Sequence, residues 1–157
     1  MATKLITNKM NYIPSESRVV IVGGGVIGCS VAYHLAKMGW SDIILLEQGE
    51  IAGGTSWHAA GMVGQLRTSN SLTKINKYSV ELYKKISRET GIPIGWNQCG
   101  SLNLGTTDQR MIQLNRTAAM AEVFGVNAEL IDSKKCLDTW SVMLDEGLMG
   151  GVWLPDD

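Results

Sequence analysis

The chain has 157 residues, 45% hydrophobic and 18% charged, with fourteen Lys and Arg against fifteen Asp and Glu for a formal net charge of −1. That length suits about one domain of roughly 100–200 residues, and the near-neutral balance offers no field for nucleic acid or a membrane surface. The hydrophobic fraction excludes a disordered tail, and no apolar run approaches the roughly 18 residues of a bilayer span.

Residues 1–17 read as a polar leader with two lysines and no apolar core, unlike a secretory signal. The leader lacks arginine, so the cytoplasm is the expected compartment, with the mitochondrial matrix as the alternative. Residues 18–22 then form a short buried strand, its Val19-Val20-Ile21-Val22 run β-branched throughout. Gly23-Gly24-Gly25 breaks it. Residues 26–38 follow with helical periodicity, Ile27, Val31, Leu35 and Met38 lying near one stripe and Gly39 as the stop. A second apolar strand, 43–46, ends on Glu47, completing strand, turn, helix and strand within the length of a βαβ unit.

A loop of small residues occupies 49–64 and holds Trp57 and His58. Residues 71–89 read as an amphipathic helix with Leu72, Ile75, Leu82 and Ile86 on its apolar face, closed by Gly91. A strand at 99–106, a helix at 108–124 stopped by Gly125, and a strand at 126–131 come next, with a short helix after Asp132-Ser133. Residues 147–155 read as one or two strands, with Gly150-Gly151 at a turn. Cys29, Cys99 and Cys136 are odd in number and lack a Cys-x-x-Cys pair, so reduced thiols are expected, and neither a disulfide framework nor a metal site.

Gly23, Gly25 and Gly28 stand as Gly-x-Gly-x-x-Gly between the first strand and the helix. The first permits a tight turn, the second lets a pyrophosphate approach the backbone, and the third lets helix and strand close up. The helix N-terminus adds unpaired N–H groups and partial positive charge. Glu47, nineteen residues after Gly28, is the expected acceptor for a ribose hydroxyl pair and repels a 2′-phosphate. It does not separate FAD from NAD.

Residues 18–47, together with Gly54-Thr55-Ser56-Trp57-His58-Ala59-Ala60-Gly61, resemble the N-terminal part of the sarcosine and dimethylglycine dehydrogenases. These belong to the D-amino-acid-oxidase-like flavoproteins. The resemblance runs on through Gly64-Gln65-Leu66-Arg67, Thr90-Gly91, Gly95-Trp96, Gln98 and Gly100, and extends to Asp157. It implies an α/β chain: the N-terminal part of a Rossmann-like FAD-binding domain running into the start of an α+β substrate domain. On that reading 18–66 hold the FAD-binding βαβ unit and flavin loop, and 67–157 open the substrate domain with parts of the FAD domain. By the same resemblance Val26 and Ile27 lie near the pyrophosphate, Glu47 and Gln48 flank the ribose, and Gly54 to Met62 wrap the flavin. His58 matches the histidine that is bonded covalently to the flavin 8α-methyl carbon in that family.

The implied reaction is oxidative N-demethylation of a small N-methylated amino acid whose amine is neutral, with electrons passing to an electron-transfer flavoprotein or oxygen. The one-carbon unit leaves as formaldehyde or passes to tetrahydrofolate on a further C-terminal domain, since this chain is expected to be a truncated portion. Arg67 is a candidate anchor for the substrate carboxylate, because a guanidinium binds a carboxylate through a two-pronged fork. A surface ion pair is the competing reading. His34, Trp57, Trp96, Trp140 and Trp153 read as packing residues. Three alternatives stand beside this one. A non-enzymatic regulatory subunit of pyruvate dehydrogenase phosphatase shares the scaffold but lacks the Trp57-His58 pair. A generic NAD module would continue strand, helix and strand after Glu47. An inactive fragment would retain dinucleotide binding alone.

Overall fold

The computed structural model describes residues 14–157 and divides them into two compact units, the first ending at Gly61 and the second beginning at Met62. Residues 1–13, most of the expected leader, lie outside the described residues.

In the first unit β1 (Val19–Val22) pairs in parallel with β2 (Ile43–Leu46), Val19 opposite Ile43 and Val22 opposite Leu46. Between them runs α1 (Val26–Lys37), the crossover that a parallel pair requires. The start of β1 is held by the Asp42 carboxylate, which accepts the Arg18 N–H at 2.9 Å, while the Arg18 guanidinium lies 4.7 Å from the Trp40 ring centroid. After α1 the chain reverses through Gly39, whose N–H donates to the Ala36 carbonyl. Among the described residues this parallel sheet has two strands, and Val22 is 84% exposed.

The second unit is an antiparallel sheet backed by helices. Its strands β3 (Ser101–Gly105), β4 (Glu129–Asp132) and β5 (Gly150–Leu154) lie in the order β3-β5-β4. Three helices, α2 (Asn70–Thr90), α3 (Asp108–Val123) and α4 (Ser133–Thr139), complete it. Leu114 and Ala121 of α3 meet Val152 and Leu154 of β5 and Val126 in one buried cluster, with Met111 and Ala118 packed against it. Those α3 positions fall at i, i+3, i+7 and i+10, the spacing of one helical face. Each helix of this unit has its own N-cap: Ser69 accepts the Leu72 N–H, Thr107 the Arg110 N–H, and Asp132 the Lys135 N–H. Side-chain acceptors at this position satisfy an otherwise unpaired N–H of the first turn.

Two sequence expectations change in the second unit, and in the first β1, expected to be buried, alternates between half-buried and exposed residues. Gly150 and Gly151 are strand residues, not a turn; the reversal falls earlier, where the Leu148 N–H donates to the Asp145 carbonyl. Glycine is needed in β5 for close approach, since a Cβ at Gly150 would sit 2.6 Å from the Ile131 carbonyl oxygen and one at Gly151 2.8 Å from that of Asn103. The other change concerns α2. Its buried residues are Thr73 and Val80, whereas Leu72 and Ile75, read as the inward face, are 50% and 62% exposed. The Thr73 hydroxyl is fully enclosed, accepts the Arg67 N–H at 3.0 Å and donates to the Arg67 carbonyl at 3.2 Å. Lys77, one turn on, donates to the Gly125 carbonyl. Polar bonds to the backbone, more than apolar periodicity, choose the side of α2 that faces its own unit.

Candidate functional site

The glycine turn follows β1 directly. The Gly23 N–H donates to the Leu46 carbonyl at 2.7 Å, extending the strand pairing into the turn. A Cβ at Gly28 would fall inside contact distance of the Gly23 carbonyl oxygen, with the Gly23 carbonyl carbon at 3.1 Å and Ile21 Cγ2 at 3.3 Å. Gly28 therefore lets the first turn of α1 rest on the strand end. Gly25 is the N-cap residue and contributes no side-chain bond, and the first turn of α1 carries no acidic residue. A helix start of this kind favours an anion.

Glu47 sits where β2 ends, and its carboxylate is already engaged. Oε2 accepts the Gly24 N–H at 2.7 Å and Oε1 accepts the Gly49 N–H at 3.0 Å. The Gly24 bond first, then those of Gly49 and Gln48, hold its pKa below the ordinary carboxylate value against a smaller opposing effect of burial. A carboxylate has about four lone-pair directions, so these backbone bonds still leave acceptor capacity for a ribose hydroxyl. Glu47, Gln48, Gly49, Glu50, Gly53 and Gly54 line an open cleft of about 340 Å³.

A folded pKa below the unfolded value makes ionised Glu47 stabilising. That contribution is complete above the ordinary carboxylate range and is lost as pH falls through the lowered folded value. Melting temperature measured against pH is expected to fall more steeply on the acid side in the wild type than in Glu47→Gln. Parallel acid limbs for the two proteins would contradict this role.

The loop after the cleft returns to the glycine turn at two points. The Ala52 N–H donates to the Gly24 carbonyl at 2.9 Å, with Ala52 itself at φ +63°. The Val26 N–H, at the start of α1, donates to the Ser56 hydroxyl at 2.8 Å. Ser56 belongs to a single 3-10 turn, Thr55–His58, in which the Trp57 N–H donates to the Gly54 carbonyl at 3.1 Å. The same Gly54 carbonyl accepts from His58 Nδ1 at 3.0 Å. A carbonyl only accepts, so Nδ1 is the donor in this bond, which leaves Nε2 as the lone-pair nitrogen of the neutral imidazole. His58 is exposed, and Trp57, expected to be a packing residue, is 80% exposed instead. Ala59, Ala60 and Gly61 continue on the surface.

The structure thus gathers Gly23, Gly25, Val26, Ile27, Gly28, Glu47, Gln48, Gly54, Thr55, Ser56 and His58 into the first unit, with Ala59 to Gly61 beside them. Met62 and Arg67 belong to the second unit, Met62 exposed and the Arg67 guanidinium donating to the Leu66 carbonyl at 2.9 Å. Sequence reasoning missed Gly49, Glu50 and Gly53 as cleft residues, although glycines flanking a glutamate just past the ribose acceptor were a visible signal. It also missed Ser56 as the cap of α1, for which no local pattern exists. The residues present fit a dinucleotide: the first turn of α1 carries no acidic residue to repel a pyrophosphate, and Glu47 lies at an open cleft beside it. Among the described residues no group of three His, Cys, Asp or Glu could hold a metal ion, and no helix is long and apolar enough to cross a membrane.

Residues 18–157 match the family DAO, FAD dependent oxidoreductase. The chain belongs to this family of FAD dependent oxidoreductases. Within it, the chain is 41% identical over 145 residues to the mitochondrial pyruvate dehydrogenase phosphatase regulatory subunit of Mus musculus, covering 92% of this chain and 16% of that protein. It is 37% identical over 145 residues to the formaldehyde-forming 4-methylaminobutanoate oxidase of Paenarthrobacter nicotinovorans, covering 92% and 18%. The human mitochondrial dimethylglycine and sarcosine dehydrogenases stand at 35% and 32%, covering 90% and 92% of this chain and 16% of each relative. Among solved structures, L-proline dehydrogenase from P. horikoshii superposes with a TM-score of 0.85 at 28% identity, covering 92% of this chain and 38% of that one. The chain therefore spans 16–18% of the length of these curated relatives. The mixed α/β fold with a Rossmann-like FAD-binding unit and the family expectation are both met.

Proposed function

We propose that the protein of which this chain is part oxidises a small N-methylated amino acid, of the sarcosine or dimethylglycine kind, with FAD held covalently by His58. The observation that carries the reading is His58 itself: exposed, beside Trp57, with Nδ1–H committed to the Gly54 carbonyl and Nε2 left as the nucleophilic nitrogen. Three of the relatives named above support the substrate class, since sarcosine, dimethylglycine and 4-methylaminobutanoate are all N-methylated amino acids.

Bound FAD supplies the two-electron acceptance that none of the twenty side chains offers. The chain's own groups bind and orient. Gly23, Gly25 and Gly28, with the Ile27 backbone beside the Val26 N–H that Ser56 holds, receive the pyrophosphate at the start of α1. Glu47 and Gln48 take the ribose hydroxyls in the cleft, and the charge of Glu47 turns away a 2′-phosphate. Thr55, Ser56 and Ala59 to Met62 lie along the flavin side, and Arg67 anchors the substrate carboxylate. In this reading residues 18–66 grasp the cofactor and 67–157 open the substrate domain. The one-carbon unit leaves as formaldehyde or is taken by tetrahydrofolate, and electrons go on to an electron-transfer flavoprotein or oxygen. The mitochondrial names of the mammalian relatives support the matrix, the second of the two compartments considered.

The test is anaerobic mixing of the full-length gene product with sarcosine, N,N-dimethylglycine, 4-methylaminobutanoate, glycine and L-proline. Bleaching of the flavin by N-methylated amino acids, with one formaldehyde per turnover on re-oxidation where no folate is present, is the expected result. Bleaching by L-proline or glycine alone would replace the substrate class. A second reading is favoured by the 41% identity to the phosphatase regulatory subunit. It predicts that no amine bleaches the protein, and the Trp57-His58 pair argues against it.

A further inference from the structure

Among the described residues α1 is the helix that lacks a local N-cap. The other three each take one from a Ser, Thr or Asp at the N-cap position itself, whereas Gly25 supplies no side chain to α1. The missing acceptor comes instead from Ser56, thirty residues along the chain, at 2.8 Å from the Val26 nitrogen. Ser56 is also the second residue of the Thr55–His58 turn, two positions before His58. One hydroxyl therefore ties the phosphate-binding helix to the turn that carries the imidazole. The Gly54 carbonyl then fixes that turn internally, accepting both the Trp57 N–H and the His58 Nδ1–H.

We infer that Ser56 is a positioning residue for covalent flavin attachment: its bond to the Val26 N–H latches the Thr55–His58 turn to α1 and so presents His58 Nε2 to the flavin. The inference rests on the covalent reading given above. In the attachment step a bond forms between His58 Nε2 and the flavin 8α carbon as one C–H bond of that methyl breaks. The methyl hydrogen and the imidazole proton, with two electrons, reduce molecular oxygen to hydrogen peroxide, so atoms and electrons balance. Ser56 takes no part in the bond changes. Its contribution is the fraction of molecules whose turn is already in place, and the attachment rate scales with that fraction. Other side-chain acceptors of α1 are absent from its own first turn, so losing the hydroxyl frees the latch without a local substitute.

The test follows attachment in time. Flavin-free full-length gene product is mixed with FAD in air, and acid-stable flavin is measured at intervals for the wild type, Ser56→Ala and Ser56→Thr. Reversible FAD affinity is measured separately in a His58→Ala background, with and without Ser56→Ala. The attachment rate of Ser56→Ala is expected to fall roughly five- to tenfold, the population change that losing a typical cap bond produces, while Ser56→Thr restores it. Reversible affinity is expected to fall by a smaller factor than the attachment rate, because the hydroxyl accepts the Val26 N–H and so acts chiefly on the turn. An unchanged rate in Ser56→Ala would overturn the inference while leaving covalent attachment intact. A rate loss matched by an equal loss of reversible affinity would overturn it by making Ser56 a binding group. Absence of acid-stable flavin in the wild type would overturn the covalent reading and the latch with it. Should Ser56→Ala not fold, Ser56→Thr and Ser56→Val give the same comparison, since they share a shape and differ in the hydroxyl.

Discussion

Gly28→Ala is expected to cost about 4 kcal/mol of stability or more and to leave the full-length gene product without dinucleotide binding. The added methyl meets backbone, which cannot swing aside like a side chain: the Gly23 carbonyl oxygen lies inside contact distance, its carbon at 3.1 Å, and Ile21 Cγ2 at 3.3 Å. Relief requires lifting α1 from β1 or breaking the turn, and either loses the Gly23 N–H bond to Leu46 that carries the strand pairing into the loop. Gly25→Ala is the informative contrast. Gly25 has φ −76° and ψ −175°, which alanine adopts, and its Cβ would meet only the Ser56 hydroxyl at 3.3 Å. It is expected to fold with a loss of about 1 kcal/mol and to bind FAD weakly, because its methyl stands where the pyrophosphate approaches. Thermal melting and FAD fluorescence quenching separate the two variants. Equal melting temperatures for Gly28→Ala and the wild type would refute the account of the turn.

Gly100→Ala is expected to be as damaging in the second unit, by a different route. Gly100 has φ +78°, and a Cβ there would penetrate the Trp153 ring, with Cζ2 at 2.6 Å and Cζ3 at 2.8 Å. Trp153 lies on β5, the middle strand, opposite Leu102 on one side and Glu129 on the other, and meets Trp140 edge-on at 6.3 Å. Moving the ring aside disturbs its edge-on contact with Trp140, and the Gly100 N–H also donates to the Asp157 carbonyl at 2.9 Å. A loss of about 4 kcal/mol in urea unfolding is the expected result. Adding Trp153→Leu removes the overlap but not the backbone penalty of roughly 1–2 kcal/mol, so partial rescue is expected. Full rescue would mean that the φ value carries no cost, and no rescue would mean that the ring is not the obstacle.

Much of the first unit was legible because its determinants are local. Four β-branched residues, three glycines in order and an acidic strand end lie within 30 residues, and strand, turn, helix and strand emerge within a residue or two of their expected bounds. Gly91 and Gly125 likewise follow the helices they were expected to end, where Gly91 holds φ +72° and Gly125 φ +64°. What escaped was tertiary. The first turns of α2 are turned by the Thr73 hydroxyl and its two bonds to Arg67, so Leu72 and Ile75 of the apolar stripe are exposed while Leu82 and Ile86 stay half-buried. Gly150 and Gly151 looked like a turn because close packing of β3 and β4 against β5 leaves no trace in local sequence. Glu47 was legible as an acceptor at the end of β2. Its bonds to Gly24 and Gly49 were not, since the first spans 23 residues. The same holds for Ser56 and Val26, whose pairing exists only once the loop has folded back onto the helix.

In the function proposed above, this chain grips FAD at the glycine turn and bonds it through His58. Acid precipitation of the full-length gene product tests it most directly, with the pellet washed and its absorbance read beside that of His58→Ala. Yellow colour retained in the wild-type pellet and released to the supernatant by His58→Ala is the predicted result. Free flavin from the wild type, or bound flavin persisting in His58→Ala, would contradict it.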